Sequence, residues 1–149
     1  CGLLPPGRFV ASALVRLDAG RRGGQIWVGG VPDVLRVSDG GLVVQRFASR
    51  QLPLGILPSA EAGVDCESFS WDAPCQIVLC SDGLTEAENA RGEAFGTQGL
   101  EQTLRAAPRA SRVAGLRQAL TRHLGRQPAG DDVSVLILDC LMDGGGVPS

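Results

Sequence analysis

Along the first half of the chain apolar side chains tend to recur at every second position, and later they recur at every third or fourth. That change of period predicts strands first and helices late. Residues 8–17 alternate imperfectly around Phe9, Ala11, Ala13 and Val15, pass through the polar, glycine-rich stretch 18–24 and resume at 25–28, which predicts a hairpin. Short strands are expected at 34–37 and 42–47 around the turn Ser38-Asp39-Gly40-Gly41, continuing an antiparallel meander. Pro53 and Pro58 flank Leu54-Gly55-Ile56-Leu57, so residues 49–59 read as an extended connector that joins no ladder. Residues 63–71 alternate again and turn at Asp72-Ala73-Pro74.

The run Ile77-Val78-Leu79-Cys80 has the length and branching of a buried strand and stops abruptly at Ser81-Asp82-Gly83. A second such run, 133–138, follows directly on Gly130-Asp131-Asp132. The two are expected to be neighbours in one sheet, bringing Asp82 and Asp131 close together. Between them, residues 86–93 are polar and read as an exposed, mobile flap whose far end is anchored by Phe95. A helix is predicted over 97–106, capped by Thr97 and burying Leu100 and Leu104. Another is predicted over 111–124, with Val113, Leu116, Leu120 and Leu124 on the apolar stripe and Arg112, Arg117 and Arg122 off it. His123, the one histidine, reads as a solvated residue at that helix's end. Strands followed by a helical pair suit an α+β fold with helices on one side of antiparallel sheet.

Composition narrows the function classes. With 149 residues and 44% hydrophobic side chains the chain suits one domain with a real core, here taken as 1–140 with 141–149 a flexible tail. A net charge of −2 provides no electrostatic footprint for nucleic acid or an anionic membrane. Five cysteines make no Cys-x-x-Cys pair, and none has an arginine six positions on, so zinc frameworks and cysteine-phosphatase chemistry are set aside. Cys80 and Cys140 read as small buried hydrophobes in a reducing cytoplasm. There is neither a signal segment nor an apolar run of spanning length. A chain that opens in mid-pattern at Cys1 reads as a fragment.

The strand-end acids Asp82, Asp131 and Asp132 are the candidates for chemistry. Ionised carboxylates at the edge of a core need water or a cation, and hard divalent ions such as Mg²⁺ and Mn²⁺ take oxygen ligands held on strand ends. The same residues are also ordinary turn formers, so a site and a pair of turns are both open at this point.

Taken as an ordered set, SDGLTEAENARGEAFG at 81–96, a helical segment and GDDVSVLIL at 130–138 resemble the C-terminal part of bacterial PPM (PP2C-like) serine/threonine phosphatases of the SpoIIE and RsbU type. VGGVPDVLRV at 28–37 followed by SRQLPLGIL at 49–57 is similar to the version fused to response-regulator receivers. The resemblance covers residues 8–140. It implies an antiparallel β-sandwich with flanking helices, lacking its N-terminal segment. It also implies two Mn²⁺ or Mg²⁺ ions that activate a water against phosphoserine or phosphothreonine, with Asp82 and Asp131 as metal ligands and Asp132 beside them. The implied partners are a phosphorylated anti-sigma-factor antagonist as substrate and an upstream receiver or sensor domain.

This chain departs from the pattern in two ways. The family's ion-bridging aspartate belongs before Arg8 and has no counterpart here, so the chain alone is expected to be inactive. Val28 and Val31 stand where many relatives have a polar Asn-Ala-Gly-His type of turn. A non-catalytic, phosphatase-like binding module is therefore the alternative reading.

Overall fold

The computed structural model describes residues 10–49 and 65–142. The connector expected at 49–59, apart from Ser49, lies outside them, as do Arg8, Phe9 and the tail from 143 on.

Among the described residues, seven strands form two antiparallel sheets. The first has the order β1-β2-β5, with β1 at Ser12–Asp18, β2 at Gly23–Gly29 and β5 at Glu67–Ser70. The second has the order β4-β3-β6-β7, with β3 at Val34–Ser38, β4 at Val43–Phe47, β6 at Cys75–Cys80 and β7 at Val135–Cys140. Two helices, α2 (Gly96–Ala106) and α3 (Arg112–Leu124), follow a single turn of helix, α1 (Asp82–Thr85). The fold is thus the expected α+β arrangement.

The first hairpin pairs as predicted, Leu14 opposite Trp27. The single meander does not continue, however, because the chain changes sheets between β2 and β3. Gly30 takes a left-handed conformation (φ 77°) that other residues rarely adopt. Its N–H donates to Ser49 Oγ at 2.9 Å, and the Ser49 N–H donates to Asp33 Oδ1 at 3.2 Å, which ties the crossover to the end of β4.

Two apolar clusters give the layers. Between the sheets, Ile77 and Cys75 of β6 meet Ile26 and Val28 of β2, Val34, Phe47, Phe69, Trp71 and Cys140. On the other face of the second sheet, Val78 and Cys80 meet Leu84, Phe95, Leu100, Leu104 and Leu116. Each fully buried large side chain contributes roughly 1.5–3 kcal/mol by leaving water. The Phe47 and Phe69 rings pack edge-on at 5.4 Å, and Trp71 Nε1–H donates to Leu141 O at 3.0 Å, closing the far end of the sandwich.

Leu100 and Leu104 are buried as expected, but α2 starts at Gly96, so Thr97 lies inside the first turn and caps nothing. The reading of α3 needs more correction. Val113 is 45% exposed, whereas Arg112 is 1% exposed. The Arg112 guanidinium donates to Leu104 O (3.2 Å), Gln76 Oε1 (2.6 Å) and Asp39 O (2.7 Å). Burial pulls its pKa down, yet an arginine so bonded stays charged.

Gln76 in turn donates to Asp139 Oδ1 at 2.9 Å, and Arg109, in the 3₁₀ turn Arg109–Ser111, bridges Asp139 (2.9 Å) and Asp39 (2.8 Å). One network thus fastens the helical layer to the ends of β6 and β7. The Gln76 hydrogen bond, and after it Arg109, holds the Asp139 carboxyl below its ordinary 3.8.

Two predictions follow from this network. Arg112→Ala strips charged donors from buried acceptors and opens a hole, so it should cost roughly 3 kcal/mol in urea unfolding. The exposed Arg105→Ala control should cost under about 0.5 kcal/mol, and equal midpoints for the two variants would refute the role given to Arg112. For Asp139, whose folded pKa is depressed, the contribution is complete above pH 3.8 and is lost as the pH falls below it. Asp139→Asn should flatten that acid limb of the stability curve, and an acid limb as steep as the parent's would count against it.

Candidate metal centre

Strand β6 ends at Cys80, and the chain stays extended through Ser81 (φ −78°, ψ 160°) before α1 begins at Asp82. The β6–β7 ladder runs from Cys75 opposite Cys140 to Cys80 opposite Val135, so the two strands are the neighbours that their patterns predicted. Ser81 carries the pairing further. Its N–H donates to Ser134 O at 2.9 Å, its hydroxyl accepts the Ser134 N–H at 2.9 Å and donates to Asp132 O at 3.1 Å.

Gly83 makes the approach closer still. A Cβ placed there would stand 2.2 Å from Asp132 O and 3.4 Å from Asp131 O, so only glycine fits against this stretch. The backbone of the Asp82 turn and that of Asp131-Asp132 thus form one corner.

The three acids at this corner are all exposed. Asp131 spends one carboxylate oxygen on its own turn, accepting the Asp132 N–H at 2.7 Å. Burial first, and then the negative charge of Asp82, push the Cys80 thiol up to about 11, so this cysteine is a protonated, inert neighbour of the corner. Exposed carboxylates suit a hard divalent ion that keeps much of its water. Among the described residues no group of three or more His, Cys, Asp or Glu side chains is placed to hold a metal.

The side of the corner nearest the sheet crossover is apolar. Val28 is buried between the sheets. Val31 lines a cavity of about 290 Å³ together with Ala13, Pro32, Leu79, Ser81, Ser134 and Leu136.

The segment after α1 is largely exposed, as expected, and its backbone forms a hairpin. Residues 88 and 94 pair as an antiparallel bridge, and Asn89 organises the turn between them. Its Oδ1 accepts the N–H groups of Arg91 (2.9 Å) and Glu93 (3.0 Å), while its Nδ2–H donates to Glu93 Oε2 at 2.8 Å. Gly92 supplies the positive φ (75°) that the turn needs. The far end is anchored at buried Phe95, as expected.

His123 is not the solvated residue that its place near a helix end suggested. It is half-buried, its Nε2 lies 3.1 Å from Ala87 O and 2.9 Å from Glu93 O, and its ring packs edge-on against Phe95 at 5.5 Å. The sequence offered one overlooked signal: position 123 follows Leu116 and Leu120 at helical spacing.

The family described as Stage II sporulation protein E (SpoIIE) matches residues 1–141. The chain belongs to the SpoIIE family. Its fold is that of solved PP2C domains. The SiaA PP2C domain of Pseudomonas aeruginosa superposes with a TM-score of 0.70 at 20% identity, over 88% of this chain and 51% of that one. The RsbU and RsbW domains of a Mycobacterium tuberculosis protein give 0.64 at 22% identity, over 84% of this chain and 35% of that one. The manganese-presoaked SpoIIE phosphatase domain of Bacillus subtilis gives 0.65 at 14% identity, over 91% of this chain and 58% of that one. This SpoIIE-family chain therefore spans about half or less of the length of the first two solved relatives. No curated protein matches it.

Because the obstruction at Gly83 is backbone, Gly83→Ala has to push the Asp82 turn away from Asp132. It should cost about 1–3 kcal/mol and displace the amide resonances of Ser81 and Ser134. Unchanged stability and spectra would show that the corner is looser than drawn.

Proposed function

We propose that this chain is the C-terminal part, residues 1–140, of a metal-dependent serine/threonine phosphoprotein phosphatase domain, with Asp82 and Asp131 as ligands of Mn²⁺ or Mg²⁺ and Asp132 beside them. The observation that carries the reading is the Gly83 contact, because it brings the backbone of the Asp82 turn against that of Asp131 and Asp132. A divalent ion bound there supplies positive charge to a phosphoryl group and lowers the pKa of water. The chain's own part is to hold the two carboxylates on rigid backbone, through the Ser81–Ser134 pairing and the Gly83 approach.

A regulatory phosphoprotein of the anti-sigma-factor antagonist type is the proposed substrate, and a receiver or sensor domain the proposed upstream neighbour. Both extend from the resemblance and from relatives whose domains are titled RsbU, RsbW and SpoIIE. No helix among the described residues is long and apolar enough to cross a membrane, in keeping with a proposed cytoplasmic setting. One observation favours the second reading, a phosphatase-like binding module: the described residues supply no third ligand to the corner.

Titration of the chain with Mn²⁺, read from the electron paramagnetic resonance of the free ion, tests the reading. Binding should be weak, and Asp82→Asn and Asp131→Asn should each weaken it by at least about tenfold without unfolding the chain. Identical binding by parent and both variants sinks the metal centre and leaves the binding module. Hydrolysis of p-nitrophenyl phosphate by this chain alone is expected at background, since one hydrated ion lacks the two-ion clamp on the attacking and leaving oxygens.

A further inference from the structure

We propose that His123 is the positioning residue of the acid corner, fixing the α1 turn and hence Asp82 from the side opposite Asp132. The proposal rests on the reading of Asp82 as a ligand, and it concerns what holds that ligand still. A helix of four residues cannot hold its own orientation, because nucleating one turn is unfavourable and a single turn gains few hydrogen bonds. Something outside must fix it.

On one side the clamp is the Gly83 approach to Asp132, and below it Leu84 sinks into the core, 1% exposed. At the exit of the turn the Glu86 N–H donates to Asp82 O at 2.8 Å, and the next residue, Ala87, is 3% exposed. The carbonyl of Ala87 is where His123 acts.

Both groups within reach of His123 Nε2 are carbonyl oxygens, Ala87 O at 3.1 Å and Glu93 O at 2.9 Å. Carbonyls only accept, so Nε2 carries the hydrogen and shares it between the two strands at the base of the 87–95 hairpin. Ala87 O also accepts the Phe95 N–H at 2.8 Å, and the Phe95 ring meets the imidazole edge-on. The path from α3 to Asp82 is therefore short: imidazole, Ala87 carbonyl, the peptide joining 86 to 87, and the Glu86 N–H on Asp82 O. Asn89 makes the remainder of the hairpin self-supporting, so a pull on its base is not absorbed by a slack loop.

Two substitutions separate donation from packing. His123→Leu keeps an apolar body and loses the donor, whereas His123→Gln offers an amide with two N–H groups, one for each carbonyl. In the parent, ¹⁵N chemical shifts should show a protonated Nε2 and a bare Nδ1 at neutral pH. In the leucine variant amide exchange should rise at 84–87 as well as at 93–95 while β6 stays protected, and Mn²⁺ affinity should fall about tenfold, the usual cost of losing an orienting partner. Glutamine should restore both to within about threefold.

Exchange that rises only at 93–95, or a glutamine variant no better than leucine, overturns the proposal. If the leucine variant does not fold, the parent's tautomer and the glutamine variant decide, a protonated Nδ1 with bare Nε2 being the contrary result. If the parent binds no Mn²⁺, the metal reading fails by itself, and the exchange pattern at 84–87 still decides what His123 does.

Discussion

Strand β6 is the constraint on which the other elements depend, because it meets protein on all four sides. β3 and β7 occupy its two edges, the first sheet lies across one face and the helices across the other. Five of its six residues are buried, so each end must resolve whatever polarity the strand cannot hide. At the entry Gln76 is the polar member, satisfied by Arg112 and Asp139, and this requirement brings α3 onto the sheet. At the exit Ser81 uses its N–H and its hydroxyl on the approach to β7, and this sets the acid corner. One buried strand therefore positions both the helical layer and the candidate centre.

That arrangement changes the argument for a cation. An acid at the rim of a core demands a partner only if it is desolvated. Asp82, Asp131 and Asp132 are exposed, so water alone can satisfy them, and folding does not force an ion into the corner. What argues for a site is the expenditure of specific backbone on proximity, chiefly a glycine where any Cβ would collide with Asp132.

Much of this was legible in the sequence where the information is local. The apolar run at 77–80 and its stop at Ser81-Asp82-Gly83 reappear with the expected pairing of β6 and β7, whereas the last strand begins at Val135 and leaves Asp131 and Asp132 in the irregular approach to it. The change of sheet at Gly30 was not legible, since a strand's pattern shows that one face is buried and not which layer covers it. The misses on α3 share one cause. Arg112 and His123 flank Leu116 and Leu120 at helical spacing, so their positions placed them on the inward stripe, but their polarity led to a solvent assignment. Both are satisfied by carbonyl or amide oxygens supplied from elements distant in sequence, Arg112 by Gln76 and Asp39 and His123 by Ala87 and Glu93. The hairpin pairing within the exposed segment 87–95 was not legible either, because Asn89 organises it through hydrogen bonds that an apolar pattern does not record.

The distribution of polarity around the corner bears on how an ion would sit there. On the crossover side Val31, Leu79 and Leu136 line a cavity together with Ser81 and Ser134, and among the described residues that line it none is charged. Among the described residues the carboxylates named here come from the end of β6 and from the approach to β7, and one oxygen of Asp131 is already engaged by its own turn. A cation at this corner would thus be approached by protein from one side and would keep water over the remainder. Mg²⁺ and Mn²⁺ accept such half-hydrated coordination, whereas a caged ion needs six or more oxygens converging on it. Placement of such an ion would then depend less on the number of ligands than on how firmly the proposed pair, Asp82 and Asp131, is held. In this chain that firmness resides in Ser81, Gly83 and the α1 turn, and none of these bears a charge except through Asp82 itself.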